Sequence, residues 1–392
     1  MITLTEPAPT IIPTFNRVLY KIVSSNSSQV GFKYVVKVYN GNNELITTAY
    51  YDTPPNPALE VEFDISKFVS AYYNFNNGFT QGSNVTDNGG TILPFYIKCY
   101  EYYAIAGVYQ IVTASEVISA TKYGFAAALP LLELREFYTD YTLYNGDNNT
   151  TYKPLTDWTG IKCRAADSQI ISFVNNGKIT TLELVVTNTT GGITTHNITS
   201  TTPAGHTITQ FKITPMVYGD VASIEVFINW NNGAARRSKV CDIYIQSCGK
   251  YEPMRLAYLN KYGAYDFFNF DLINRASFNI ERKGYQREYS GDVYNDGTNI
   301  VKSVNATYYT KETQRWKLVS DYLNDEQSIM IRDMYSSPLV YGYIVNDAGV
   351  MPSWIPLKPL ATSYDLKTII NDKLFNLELE VEYDIINTRQ SI

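Results

Sequence analysis

Two histidines are the side chains of this sequence with the most versatile chemistry. His196 and His206 lie ten residues apart in or beside a Thr-rich polar segment. Imidazoles on neighbouring loops are able to ligate a metal ion, but a structural or catalytic zinc site needs three or four protein ligands. Because no paired cysteine or carboxylate nearby completes such a set, we predict no metal site.

Spaced carboxylates are the second candidate for chemistry. Asp64 with Glu101, or Asp266 with Asp271, would suit a glycoside hydrolase, whose two carboxyl groups flank the scissile bond. The sequence places no two of them across a cleft, so hydrolase activity is the remote alternative. Four tryptophans would supply sugar-stacking surfaces, yet that number is ordinary for core packing: Trp158, Trp230, Trp316 and Trp354.

Known catalytic motifs are absent from the chain. There is no nucleophile elbow, P-loop or H-E-x-x-H sequence. The segment 292–297 resembles a calcium loop, but Tyr294 stands where an oxygen ligand is needed, so we interpret it as a β-turn. We therefore predict a protein that is not an enzyme, with no catalytic, cofactor-binding or metal-binding residues and no cofactor.

Tyrosine dominates the composition, at 34 of 392 residues. Tyrosine, threonine and the turn-forming asparagine favour pleated strands and their connections, and tyrosine is enriched at protein interfaces. Three Tyr-rich stretches are the remaining candidates for function: 100–103, 258–270 and 285–294. We expect about half of these rings to fill cores and the rest to form exposed contact surfaces.

Charge and cysteine content narrow the class of protein. The 32 basic and 38 acidic residues give a net charge of −6, and no Lys/Arg run forms a stripe for duplex nucleic acid, so we expect no sequence-specific nucleic-acid partner.

The four cysteines are too few and too scattered for a disulfide scaffold, and they are predicted to be mostly buried free thiols. They are Cys99, Cys163, Cys241 and Cys248.

The N-terminus has neither the basic nor the apolar region of a secretory signal, and no segment is apolar enough to cross a bilayer. The surface composition nevertheless resembles that of extracellular β proteins. A virion component satisfies both observations, because it is synthesised in the host cytoplasm and meets the outside only after lysis. We therefore expect a location in a virion.

Alternating side chains predict a first β-sandwich of immunoglobulin or fibronectin type over residues 1–125. Phe32, Tyr34, Val36 and Val38 share one side of a strand, and further strands are expected at 45–51, 94–103 and 109–118. A short helix is predicted in which Asp64 is the N-cap and Ile65, Phe68, Val69 and Tyr72 form one stripe. The Asn/Gly-rich segment 75–90 is predicted to be a long loop.

A second β-sandwich is predicted over residues 126–250, with strands at 170–174, 181–187, 223–230 and 239–246 and a polar hairpin at 187–202. Residues 251–392 are predicted to form a β-rich α+β domain. Its expected features are a hairpin from 255 to 270, a helix with a capping box of Asn324 and Gln327, and a closing strand. Three glutamates form one side of that strand, expected to be solvated or to meet a basic partner: Glu378, Glu380 and Glu382.

Three blocks of the sequence carry a family resemblance. They are FKYVVKVYNGNNELI with FDISKFVSAYY and FYIKCYEYY, then MRLAYLNKYGAYDFFNF, and finally ERKGYQREY through SSPLVYGY and WIPLKP to LFNLELEVEY. On these blocks the chain resembles tail, neck or baseplate proteins of bacteriophages that infect Bacteroidota, including crAss-like phages. The blocks consist of packing and turn positions, so the resemblance assigns no binding residues.

The resemblance implies a non-enzymatic structural protein of the virion, assembled with copies of itself into a closed ring that connects neighbouring tail components. The implied partners are other copies and other phage tail, neck or portal proteins. A ring requires heterologous contacts that repeat around an axis. A receptor-binding or glycan-binding tail protein is the main alternative. A bacterial surface adhesin is a further one, against which the missing signal sequence argues.

Overall fold

The chain is mostly β, as the sequence predicts, and divides into two compact units. The first comprises residues 1–246 with 260–266, and the second 247–259 with 267–392. The computed structural model describes residues 1–53, 60–73, 84–88, 92–203, 205–246, 251–286, 305–344, 353–361, 363–364, 376–384 and 387–391. For residues 88, 306, 344, 353 and 387–391 it describes the backbone alone. Cys248 and the predicted turn at 292–297 lie outside the described residues.

The first unit begins with a mostly antiparallel sandwich whose strands match the predicted ones closely. Its strands are β1 (Ile2–Thr5), β2 (Ile11–Pro13), β3 (Leu19–Ser24), β4 (Lys33–Asn40), β5 (Leu45–Asp52), β6 (Val61–Asp64), β8 (Ile92–Ile105), β9 (Val108–Ile118) and β10 (Lys122–Phe125). One sheet has the order β1-β3-β6, and the other the order β2-β10-β8-β4-β5 with β9 beside β8. Phe32, Tyr34, Val36 and Val38 are all buried in the core between them, as predicted.

The predicted helix is present but shorter than its apolar stripe. Helix α1 spans Ser66–Ser70 and its N-cap is Ile65, so the prediction of Asp64 as the N-cap is wrong by one residue. The Asp64 carboxylate, one residue before the N-cap, accepts hydrogen bonds from the backbone N–H groups of Ser66, at 2.9 Å, and Val18, at 3.0 Å. Ile65 and Val69 are buried as expected. The prediction for Tyr72 is wrong: the helix ends two residues earlier, and its ring is exposed.

The first unit continues with a second sandwich. Its strands are β7 (Val85–Asn88), β11 (Gly160–Cys163), β12 (Gln169–Asn175), β13 (Ile179–Asn188), β14 (Ile193–Thr199), β15 (Thr207–Ile213), β16 (Val221–Asn231) and β17 (Ala235–Ile245). The sheets have the orders β11-β17-β16-β13-β14 and β12-β15-β7. The polar hairpin predicted at 187–202 is confirmed by β13 and β14, and the Asn188 side chain closes its turn by accepting from the N–H of Gly192 at 2.6 Å.

The predicted loop at 75–90 is wrong for its last part, which forms β7. This strand pairs antiparallel with β15, far along the chain, and Asp87 accepts hydrogen bonds from Thr201, Thr207 and Thr209. The pairing satisfies backbone groups that a loop would leave to water. Local composition gave no sign of it, because the stabilising partners come from more than a hundred residues away.

A helix and a turn complete the first unit. Helix α2 spans Leu131–Thr139 and was not predicted. Asn260 is buried in the turn at 260–264, where its side-chain oxygen accepts from the N–H groups of Tyr262, at 2.9 Å, and Ala264, at 3.1 Å. Its side-chain amide donates to the Leu155 carbonyl and the Asp266 carboxylate, both at 2.8 Å. Four hydrogen bonds of one side chain thus fix this turn.

The second unit is built on one sheet of order β19-β18-β22-β23-β24-β21-β20, with β25 beside β21. Its strands are β18 (Met254–Leu259), β19 (Tyr265–Phe270), β20 (Arg275–Gln286), β21 (Asn305–Val319), β22 (Val340–Ile344), β23 (Ser353–Pro359), β24 (Glu378–Tyr383) and β25 (Asn387–Ser391). The predicted capping box is confirmed at helix α3, Asp325–Ser336, where the side chains of Asn324 and Gln327 each accept from the other residue's backbone.

The closing strand β24 has the predicted alternation, with Leu379 and Val381 buried. Of the glutamates, Glu378 and Glu380 are exposed and Glu382 is half-buried, and Glu380 has solvent around it as expected. The other two contact bases of the neighbouring strand β21, where Lys317 lies 2.7 Å from Glu378 and Arg315 lies 3.4 Å from Glu382.

We expect Asn260→Ala to destabilise the first unit by about 3 kcal/mol, because it removes four hydrogen bonds and strands buried partners. Chemical denaturation followed by circular dichroism measures this change. Asn197, exposed on β14, provides the matched control, and Asn197→Ala is expected to change stability by less than about 0.5 kcal/mol. Equal effects of the two substitutions would contradict the assigned role of Asn260.

Candidate interaction surfaces

The two histidines lie on different elements and pack against tyrosine rings. His196 lies on β14, with its ring centroid 4.9 Å from that of Tyr218. The ring of His206 lies 4.3 Å from that of Tyr123, and burial lowers the pKa of its imidazole. Within the described residues, no group of three His, Cys, Asp or Glu side chains is placed to hold a metal ion.

The candidate carboxylates serve the fold. Asp64 accepts a hydrogen bond from the N–H of Ser66 at the start of α1, and Asp266 accepts one from Asn260. Glu101 is buried and accepts hydrogen bonds from the Ser24 hydroxyl, at 2.5 Å, and the Asn26 amide, at 3.0 Å. Asp271 likewise has interactions within the chain. These contacts account for three of the four carboxylates without a substrate.

The tryptophans are core residues or partly covered, and three cysteines are buried as predicted. Trp158 and Trp230 are buried, and Trp230 packs 5.7 Å from the ring of Tyr152. Trp354 packs between aromatic rings of the second unit, 5.1 Å from Tyr343. Cys99, Cys163 and Cys241 are buried thiols that form no disulfide among the described residues. Burial raises the pKa of Cys99 to about 12, which makes it a poor nucleophile.

The Tyr-rich stretches divide between core and surface. Tyr258, Tyr262 and Tyr265 are buried, whereas Tyr285 is exposed on β20. Within 100–103, Tyr100 is buried and the neighbouring rings at 102 and 103 are partly exposed. Residue 294 lies outside the described residues. Two surfaces with exposed aromatic side chains follow from this division, one in each unit.

The first surface, here called the tyrosine face, is the outward side of strands β4, β5, β8 and β9. It comprises Tyr39, Tyr50, Tyr96, Tyr100, Tyr102 and Tyr109. The rings form neighbouring pairs: Tyr39 stacks on Tyr96 at 5.2 Å, and Tyr102 stacks on Tyr109 at 6.1 Å. Such cross-strand aromatic pairs stabilise a sheet and also present a broad contact surface.

Lysine and glutamate side chains connect the rings of the tyrosine face. Lys37 lies over the Tyr100 ring, 5.3 Å from its centroid, and Lys98 lies 5.6 Å from that of Tyr39. Glu116 accepts a hydrogen bond from the Tyr100 hydroxyl and lies 3.5 Å from Lys98. The hydrogen bond from Tyr100, with the nearby lysine charge, lowers the pKa of Glu116. The face is therefore an ordered polar-aromatic layer.

The second surface is a two-stranded ribbon formed by β20 and β21. Every side chain of β20 is exposed over its twelve residues. Several are large and apolar: Phe278 is 57% exposed, Ile280 44% and Tyr285 54%. An exposed antiparallel pair carrying such side chains is unusual for a monomeric protein.

The ribbon has two chemically different sides. Ala276 faces Trp316 across the ladder, and Phe278 and Ile280 follow at alternate positions on the same side, where they face Gln314 and Glu312 of β21. Leu318 continues this side towards the base, where it is buried. The apolar side of the ribbon is thus an extension of the core-facing side of the sheet. The opposite side is charged and polar: Arg275, Ser277, Asn279, Glu281 and Lys283.

The free edge of the ribbon is β20 itself. β20 is the terminal strand of its sheet, and no strand among the described residues pairs with its outer edge. Edge strands in monomers are blunted by proline, bulges or charge. β20 has no proline, its one irregularity lies near its end, between Lys283 and Gly284, and its charged residues are of both signs: Arg275, Glu281, Arg282 and Lys283. The first eight residues of β20 therefore present a regular edge.

Comparisons with known proteins assign no family. No family model matches the chain, and no curated protein matches it. A solved structure described as "Structural insight into host cell surface retention of a 1.5-MDa bacterial ice-binding adhesin" aligns with 82% of this chain and 92% of that chain, at 8% identity and a TM-score of 0.19. A superposition at that score carries no argument about fold or function. Among the helices of the described part, none has the length and apolarity needed to cross a bilayer.

We expect Tyr100→Ala to destabilise the protein by about 2–3 kcal/mol, because Tyr100 is buried opposite the fully buried Val35 and its loss opens a cavity. Tyr109→Ala, on the same face but exposed, should cost less than about 1 kcal/mol. Urea denaturation of both variants tests this difference. A larger loss for Tyr109→Ala would show that the rings do not have these roles.

Proposed function

We propose that this protein is a non-enzymatic structural subunit that assembles permanently with copies of itself. Following the sequence resemblance, we propose that the assembly is a homo-oligomeric ring in the tail, neck or baseplate of a bacteriophage, where it connects neighbouring tail components. The observation that carries the proposal is the exposed ribbon of β20 and β21, which has an apolar side and a free edge.

The energetics of the ribbon favour a partner. A two-stranded hairpin is at best marginally stable in water unless a further strand or a packed face supports it. The base of the ribbon has that support from β24, and β25 pairs with β21 over residues 309–312. The outer side of β20 has none among the described residues. Covering Phe278 and Ile280 in an assembly would remove apolar surface from water, which is the main driving force of permanent association.

The contacts of the candidate polar residues also agree with a structural role. The candidate carboxylates with described partners hold helices, turns and strands, and the described histidines pack on aromatic rings. A closed ring needs at least two different surfaces on each copy. The ribbon and the tyrosine face are two such surfaces, one in each unit.

The oligomeric state tests the proposal. Light scattering of the full chain should give a mass several times that of the 44.4 kDa protomer, and electron micrographs should show closed rings. Ile280→Lys places a charge on the apolar side of the ribbon and should weaken association at least about tenfold. Asn279→Lys, the adjacent residue on the polar side, is the matched control and should leave the mass nearly unchanged.

Two results would contradict this assembly. A mass of one protomer at all accessible concentrations would refute the proposal, as would equal effects of the Ile280 and Asn279 substitutions. Circular dichroism of both variants checks that the fold is retained, which we expect because the two side chains are exposed.

The tyrosine face favours a second candidate function, receptor or glycan binding. Exposed tyrosine rings stack on sugars, and Tyr50 and Tyr109 are both about half exposed there. If this function is correct, a glycan array should give selective binding, and Tyr50→Ala with Tyr109→Ala should abolish it. The Ile280→Lys variant is the control, since it leaves the tyrosine face intact. Absence of glycan binding by the assembled protein would exclude this candidate.

A further inference from the structure

We propose that two copies of this chain associate by antiparallel pairing of their β20 strands, edge to edge, with Phe278 of one copy opposite Phe278 of the other. The proposal rests on the proposed self-assembly and specifies one of its contacts. The result is a single sheet that runs through both copies.

Backbone hydrogen bonding makes this edge suitable for a second strand. In an antiparallel ladder, alternate residues of a terminal strand direct their N–H and C=O groups outward. β20 is paired with β21 on one side over its whole length, so its other side offers such groups from Arg275 onward. An added strand would satisfy them, as in strand-addition complexes.

Two-fold symmetry limits the possible registers. The apolar sides of the two ribbons lie on the same side of the joined sheet only when even-numbered residues of one β20 strand face even-numbered residues of the other. With Phe278 at the axis, Ala276 faces Ile280 of the second copy, and Ser277 faces Asn279. Arg275 then faces Glu281 of the second copy, and symmetry forms this pair of opposite charges twice.

Neighbouring registers are less favourable. With Asn279 at the axis, Arg275 would face Lys283 of the second copy, which places like charges opposite each other twice. With Ser277 at the axis, Glu281 and Lys283 would face residues 273 and 271, which lie before β20 begins, so no opposite charges would meet within the paired strands. The charge pattern of β20 therefore selects the register centred on Phe278.

The side chains involved are available for this pairing. Phe278 and Ile280 lie on the apolar side of the ribbon, so pairing joins the apolar sides of both copies into one continuous strip. Glu281 lies 3.7 Å from Lys283 of its own strand, but both are more than half exposed, at 54% and 56%, and such contacts contribute little. Glu281 is thus able to exchange this contact for Arg275 of the second copy.

The symmetry of the contact has a consequence for the whole assembly. An isologous contact joins copies only in pairs, whereas a ring closes through heterologous contacts. An assembly in which every copy also makes the β20 contact therefore contains an even number of copies in total.

Cysteine cross-linking tests the register. Cα atoms directly opposite in an antiparallel pair are about 4.5–5.5 Å apart, which permits a disulfide. Phe278→Cys should therefore give a covalent dimer under mild oxidation. Tyr285→Cys is the matched control: Tyr285 is similarly exposed on the same strand, but in this register it lies far from its symmetry mate. The wild-type chain gives the background from native cysteines.

Charge exchange provides a second test. Arg275→Glu alone places two glutamates opposite each other across the contact, and Glu281→Arg alone places two arginines together; each should weaken self-association by roughly tenfold or more. A mixture of the two single variants restores pairs of opposite charges in the mixed dimer. Differently labelled variants should therefore associate with each other in preference to themselves, as measured by energy transfer.

The outcomes separate the two proposals. A large assembly without Phe278→Cys cross-linking, or with equal cross-linking of Tyr285→Cys, overturns the β20 register and leaves self-assembly intact. A mixture of charge variants that associates no better than either variant alone also overturns it. A protein that is monomeric throughout refutes both. Cross-linked dimers that form no larger species support the β20 contact and refute the ring.

Discussion

The need to pair every backbone N–H and C=O group governs how this chain treats the edges of its sheets. In the second sandwich, β7 arrives from an earlier part of the chain and pairs with β15. In the first, β2 lies parallel to β10 and covers it. In the turn at 260–264, the side-chain oxygen of Asn260 accepts hydrogen bonds from backbone N–H groups, as the carbonyl groups of a neighbouring strand do in a sheet. Like β5 and β14, β20 ends its sheet with no strand among the described residues on its outer edge, but unlike them it has every side chain exposed, which leaves its edge open to a partner.

Tyrosine performs two tasks here, which explains its abundance. At buried and half-buried positions such as Tyr262 and Tyr73, the ring fills space while the hydroxyl has a hydrogen-bond partner: Tyr262 donates to Asp157 at 2.9 Å, and the Thr14 hydroxyl donates to that of Tyr73 at 2.6 Å. On the tyrosine face, the same side chain covers Val35 and still presents ring edges to the outside. A leucine would fill the same space but make no hydrogen bond, and a serine would make the hydrogen bond but fill little space.

Features encoded by neighbouring residues were predictable from the sequence. The alternation from Phe32 to Val38 and the capping box at Asn324 depend on spacing alone, and the structure confirms both. Helix α2 was missed although Pro130 precedes a run of good helix formers, because the surrounding sequence was interpreted as β. The exposure of Phe278 was not predictable, since an alternating strand gives the same pattern whether its apolar side is covered or open. The division into three domains stays a prediction.

The insertion of β7 into the second sandwich has a kinetic consequence. Asp87 reaches Thr209 across 122 residues, so the three-stranded sheet closes only after most of the first unit has been synthesised. Contacts of such sequence separation carry a large loop-closure entropy and slow the folding of β proteins. β7 is synthesised first, and it has no partner strand until β15 has emerged from the ribosome. During this interval, the unpaired strand of one nascent chain is able to pair with a strand of another chain. This mispairing becomes rarer when the remaining residues are translated faster than nascent chains meet.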